Sequence, residues 1–192
     1  MKTIAGKDLD ALGVILGHGA AAAGERFEKM LGLPCRTQAT RPCPLAPDVS
    51  PFPQAGHKER QAYYIFMPGV VFLALFPADS PLIESYLTRQ NLPLSDDLKF
   101  GEQVLHEFAN ILVSGIVDSL VDRCGMKFFL AAPRRISGRN SILINDTCRK
   151  FLSSGVEGAV ASMLTFEADS CRVEVLVLLD SMFLNILLPN DG

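Results

Sequence analysis

Strong charge of either sign is missing from this chain: 18 Lys and Arg stand against 21 Asp and Glu in 192 residues, a net charge of −3. A general nucleic-acid surface needs a basic face, often interleaved with aromatics, and no stretch here supplies one. Long apolar runs are missing as well. The longest read as strands, shorter than the roughly 20 residues that a membrane-spanning helix requires. The opening residues, Met1 to Gly13, carry neither the apolar run nor the small-residue cleavage site of a signal peptide. A soluble cytoplasmic protein, with no nucleic acid and no membrane as partner, is the expectation.

Cysteine is sparse, and its number, 5, is odd. Reduced thiols therefore fit better than a disulfide framework. Cys35 and Cys43 are separated by 7 residues, too far for a compact zinc pair, and Cys124, Cys148 and Cys171 are scattered, so no metal is expected. The 3 histidines, His18, His57 and His106, do not announce a site. No glycine-rich phosphate cradle follows a strand; Gly17-His18-Gly19 sits in an alanine-rich helical stretch with the wrong spacing for a dinucleotide.

What is present is a repeat. Residues 101–123 read as an amphipathic helix, because Leu105, Phe108, Leu112, Ile116 and Leu120 recur at spacings of three and four. Residues 8–32 lie on that stretch with an offset of 93, and Leu12, Ile15, Ala23, Phe27 and Met30 form the matching stripe. Gly17, Gly19 and Ala20 to Ala23 leave room for the partner helix to approach closely.

Each helix precedes a β-rich stretch and a short helix. In the first half a hairpin turns at Pro68-Gly69, and a helix follows with Ser80 as cap and Pro81 in its first position. In the second half a hairpin turns near Ala168 to Ser170, and Asp180 to Leu188 closes the chain as a helix. The expected fold is α/β in the α+β sense: an αβββα unit used twice, about 1–95 and 96–192, with two long helices on a largely antiparallel sheet. With 48% hydrophobic residues the chain can bury one sizeable core, which favours a single domain over 1–192.

The polar side of the second long helix carries Gln103, Glu107, Asn110, Ser114 and Asp118, within an arc of roughly 80° at the helical pitch. Glu107 and Asn110, one turn apart, set a carboxylate beside a carboxamide, and Pro133 follows Asn110 after 22 intervening residues. Such a pair suits holding a water better than attacking a phosphoryl group. His106 falls about 100° off the Glu107 face and reads as a helix-flank residue.

These residues resemble the CheC and CheX chemotaxis phosphatases, related to the middle domains of flagellar switch proteins. The family motif is Asp or Ser, three residues, Glu, two residues, Asn, twenty-two residues, Pro. Gln103, Glu107, Asn110 and Pro133 match it at three of four positions, with Gln103 the departure. The first repeat keeps Asp10 and the stretch Leu9 to Leu12, but Val14 and Gly17 replace the polar pair, and the proline position falls at Thr40 with Pro42 near. That copy of the site is degenerate.

The resemblance implies hydrolysis of the aspartyl-phosphate of a CheY-like receiver domain, whose own Mg²⁺ and lysine bind the phosphoryl group. Asn110 would hold the attacking water and Glu107 would anchor the receiver, with Gln103 and Pro133 in support and no cofactor on this chain. The resemblance leaves open a non-catalytic binding module, an adaptor for a receptor-modifying deamidase, and a monomer or a homodimer.

Two stretches remain. Residues 38–57, with Pro42, Pro44, Pro47, Pro51 and Pro53, read as an extended excursion between the first strand and the hairpin. Arg134, Arg135, Arg139, Arg149 and Lys150 read as solvated charges.

Overall fold

The computed structural model describes residues 6–47, 51–52, 58–79, 81–92, 98–156, 158–169 and 171–188. Ser80 and His57 lie outside them, as do residues 48–50 and 53–57 of the proline-rich stretch and Ser170 of the second turn.

The two long helices are α1, Gly6–Leu31, and α2, Leu98–Cys124. The stripe of Leu105, Phe108, Leu112, Ile116 and Leu120 is buried throughout. It is widened by Val104, Ala109, Val113 and Val117, so α2 is apolar over more than one face. That corrects the expectation that apolar runs are too short to span a bilayer: Lys99–Cys124 is long and apolar enough by composition, and its apolar side is spent on the protein core. On α1 the stripe is rotated from the expected one. Leu16 and Ala20 join Leu12, Ala23 and Phe27 in the core, while Ile15 and Met30 flank it.

Small residues set the crossing of the helices, though not all of those expected. A Cβ on Gly19 would stand 3.4 Å from the Ile116 Cα, and one on Gly115 would stand 2.6 Å from the Ala23 Cα. Gly17 takes no part: nothing lies within 4 Å of its Cβ position.

Among the described residues seven strands form one antiparallel sheet: β1 Cys35–Ala39, β2 Cys43–Pro44, β3 Glu59–Met67, β4 Val70–Pro77, β5 Arg134–Arg139, β6 Val160–Ala168 and β7 Cys171–Leu179. Their order is β1-β6-β7-β4-β3-β5, with β2 also on β6. Exchanging β1 with β5, β3 with β6 and β4 with β7 reverses that order, which is the two-fold the repeat implies. Both hairpins turn where expected, with Gly69 at φ 78° in the first and Asp169 at φ 54° in the second. Short helices follow each: α3, Pro81–Arg89, and α4, Ser181–Leu187, the latter capped by the Asp180 carboxylate, which accepts the Phe183 N–H at 2.6 Å.

One helix was not expected. α5, Asn140–Ser153, lies between β5 and β6 and covers the opposite face of the sheet with Leu143, Ile144, Cys148 and Phe151. The corresponding place in the first half belongs to the proline-rich stretch. There β1 resumes as β2 on the same neighbour, and Leu45 tucks into the α5-side core. The units are thus αββββα and αβαββα, variants of the expected αβββα. None of the five cysteines is cross-linked.

Candidate active site

The polar residues of α2 lie on its solvent-facing side. Gln103 and Glu107 are exposed and Asn110 is half-exposed, on a helix whose other sides are locked into the core. Between the first turns of α2 and strand β5 lies an open cleft of about 690 Å³. It is lined by Lys99, Glu102, Gln103, His106 and Glu107 from the helix, Tyr63 from β3, and Pro133 and Arg135 at the start of β5. The structure therefore brings Gln103, Glu107 and Pro133 together at one cleft, and sets Asn110 one turn further along the helix, beyond the lining.

Tyr63 anchors this arrangement. Its ring is buried, edge-on to Phe76 and to His106, each at 5.9 Å between centroids, and its hydroxyl donates to the Glu102 carbonyl at 2.9 Å. Burial pushes the phenol up to about 12; the Arg135 guanidinium works against that shift and the Glu102 carboxylate adds to it. Near neutral pH Tyr63 is a fixed donor and not a proton shuttle. The Glu102 carboxylate in turn pairs with the Arg135 guanidinium, tying α2 to β5 across the cleft.

Several cleft residues escaped the sequence reading. Arg135, which reads as a solvated charge, is exposed and also forms part of the cleft wall, and His106, which reads as a helix-flank residue, stands beside Glu107 against Tyr63. Nothing in the sequence singles out Tyr63, Lys99 or Glu102. Their spacing carries no motif, and only the register of β3 against β5, which sets Tyr63 opposite Arg135, brings them to the helix.

The degenerate site looks different. Asp10 pairs with Arg41 at 2.9 Å, and the buried Pro42 ring lies 3.3 Å from the Cβ position of Gly13. Further along, the Thr37 methyl occupies the space that a Cβ on Gly24 would need, at 2.3 Å. The β1 segment thus lies directly on α1, whereas β5 stands off from α2 and leaves the cleft open. Val14 is exposed and Gly17 half-exposed, with no polar group at either position.

Solved structures with the same architecture are known. Thermotoga maritima FliY matches with a TM-score of 0.68 at 8% identity, covering 97% of this chain and 96% of that one. The chain has the CheC/CheX fold. The FliM middle domain of H. pylori matches at 0.64 and 12% identity over 95% of this chain and 98% of its own. The chemotaxis protein CheX of Desulfovibrio desulfuricans matches at 0.55 and 12% identity over 86% and 99%. No family profile and no curated protein matches the sequence. At such identities it is the CheC/CheX fold that is shared, and any activity has to be argued from the site.

Proposed function

We propose that this chain is a phosphatase for the aspartyl-phosphate of a CheY-like receiver domain, working through Glu107 and Asn110. The observation that carries the reading is their placement: a carboxylate and a carboxamide one turn apart, accessible, on a helix that the core holds rigidly. Phosphoryl transfer responds mainly to positioning and to charge stabilisation, and the receiver's own Mg²⁺ and lysine supply the charge. The Asn110 amide, inserted beside the phosphorus, holds a water in line. The water oxygen bonds to phosphorus as the bond to the receiver's aspartate oxygen breaks, one proton leaves to solvent, and inorganic phosphate and the free carboxylate result. Glu107 meets the receiver's lysine in a charge-assisted hydrogen bond that fixes the register of the two proteins. Pro133 shapes the cleft wall facing Glu107, and Gln103 offers its amide where the family motif has Asp or Ser. The setting is cytoplasmic signalling of the chemotaxis type.

A second reading, a non-catalytic binding module, is favoured by one finding: the FliM middle domain matches at a TM-score of 0.64, above the 0.55 of the CheX match. FliM of H. pylori has been solved in complex with FliG. The two readings part on one assay, the decay of a phosphorylated receiver with Mg²⁺ and this protein. Phosphatase action accelerates the decay; a binding module leaves the rate unchanged while forming the complex.

A further inference from the structure

The two faces of the sheet are covered unequally. The long helices, α3 and α4 pack on one face, and among the described residues α5 is the one helix on the other. A helix is about 10–12 Å across, whereas the strand order, six positions wide, spans about 24 Å. α5 starts over the far end of β5, where Leu143 lies 3.6 Å from the Cβ position of Gly138. The other end of the β3–β5 pair is left open.

What lies open there is apolar. On β3, Tyr63, Ile65 and Met67 enter the helix-side core while Ala62 and Tyr64 enter the α5-side core, so Phe66 faces the α5 side by alternation. Antiparallel partners share a face, which puts Ile136 there beside Ala62, and Arg134 beside Tyr64. Phe66 is 47% exposed and Ile136 37%. Tyr64 joins them, with its ring 6.4 Å from that of Phe66. Phe129 adds a further side chain, 90% exposed, between Phe128 and Leu130, which both pack on the helix-side core. Ala131 donates its N–H to the Phe66 carbonyl at 2.9 Å, so this stretch runs beside the end of β3 and Phe129 projects away from the helices.

The repeat shows what the same surface holds where it meets water. Tyr64 and Phe66 answer to Thr165 and Glu167 at the strand offset of 101, and Phe129 answers to Arg36 at the helix offset of 93. Glu167 stands opposite both Arg36 and Arg172, and Arg172 also pairs with Glu174 at 3.0 Å. A surface that is charged in one half is thus aromatic in the other. Single exposed apolar residues are ordinary, but a cluster of them marks a contact face.

Charge at the margin selects the occupant. Arg134 and Lys127 are exposed and have no ion-pair partner among the described residues. Lys127 shares the outward phase of Phe129, and Arg134 shares the face of Tyr64. A second copy docked patch to patch would bring these cations toward their own equivalents, which like-charge repulsion disfavours.

We propose that this face binds an amphipathic helix of a partner protein, laid beside α5 so that it completes the layer α5 begins. Its apolar side would rest on Tyr64, Phe66, Phe129 and Ile136, with carboxylates on its flanks toward Arg134 and Lys127. Glu107 and Asn110 belong to α2, on the other side of the sheet, so the proposal does not depend on the phosphatase reading.

The probe is a fluorescent capped peptide as long as α5, with leucines at helical spacings of three and four, glutamates on both flanks of that stripe and alanines elsewhere. It is titrated against the full chain by anisotropy and followed by amide shifts in NMR. The expected result is shifts centred on Phe66, Phe129 and Arg134, and binding weakened about tenfold or more in Phe129→Ser, which removes an apolar contact area without touching the core. Phe129→Leu should retain most of the affinity and Arg134→Glu should lose part of it. Val14→Ser, at an exposed apolar residue on α1, should bind as wild type. The proposal is overturned by unchanged shifts at these amides at about 1 mM peptide, by wild-type affinity in Phe129→Ser, or by equal binding of a peptide with lysine in place of glutamate. A dimer in sedimentation that Phe129→Ser dissolves would give the face to a second copy, and anionic phospholipid vesicles bound by wild type but not by Phe129→Ser would give it to a membrane; either overturns it too.

Discussion

Asn110 and Glu107 have counterparts in Gly17 and Val14, so the polar pair on one long helix is replaced by an apolar residue and a glycine on the other. Glu107 lies at the cleft and Asn110 beyond it, so their roles should separate in kinetics. Glu107→Gln removes the charge and keeps the shape; turnover of a phosphorylated receiver should show a raised KM, by about tenfold for the loss of one charge-assisted bond, with the fold unchanged by circular dichroism. Tyr63→Phe deletes the bond to the Glu102 carbonyl and should cost about 0.5–1.5 kcal/mol in urea unfolding at pH 7. Its pH dependence is also defined. The folded phenol holds its proton up to about 12, against an unfolded value near 10. The folded state therefore binds more protons between those limits, and that share of stability is complete below about pH 10 and lost as pH rises toward 12. Wild type should lose stability more steeply than Tyr63→Phe across that window. The motif residues were legible because their chemistry resides in type and spacing; the Tyr63, His106 and Arg135 wall was not, because a strand register brings it together.

The elements were legible in proportion to how cleanly one period dominated. Both hairpins join long strands rich in apolar residues through short turns, and both formed as read. α5 was missed because its buried positions, Asn140, Leu143, Ile144, Thr147, Cys148 and Phe151, include an asparagine and a threonine that interrupt the apolar stripe. The Thr147 hydroxyl is satisfied within the helix by donating to the Leu143 carbonyl at 2.7 Å, so burial costs little. Two glycines test the helix pair. Gly115→Ala drives a methyl group against the Ala23 backbone, and over-packing of about 1–3 kcal/mol should outweigh the gain in helix propensity. Gly17→Ala meets open space and should stabilise by about 0.5–1 kcal/mol. Denaturation midpoints of the two variants should move in opposite directions; a shift of the same sign would place the helix crossing elsewhere.

At the scale of the molecule the duplication was readable, with one distortion. The long helices repeat at 93 residues, but the strands Glu59–Met67 and Val160–Ala168 begin 101 residues apart. The connection from α2 to β5 is longer than that from α1 to β1, and α5 stands where the first half has its proline-rich stretch. Those insertions are asymmetric, and they coincide with an open cleft in one half and a covered helix in the other. Of the two equivalent positions only the one on α2 carries the carboxylate and carboxamide, which is why the phosphatase account places all the chemistry there. The decisive measurement is the decay rate of a phosphorylated CheY-like receiver in Mg²⁺ with wild type and with Asn110→Ala. The account predicts acceleration by wild type and a loss of about a hundredfold in the variant, the scale of a misplaced water, with receiver binding retained. Equal acceleration by both proteins, or none by wild type in a demonstrated complex, would contradict it.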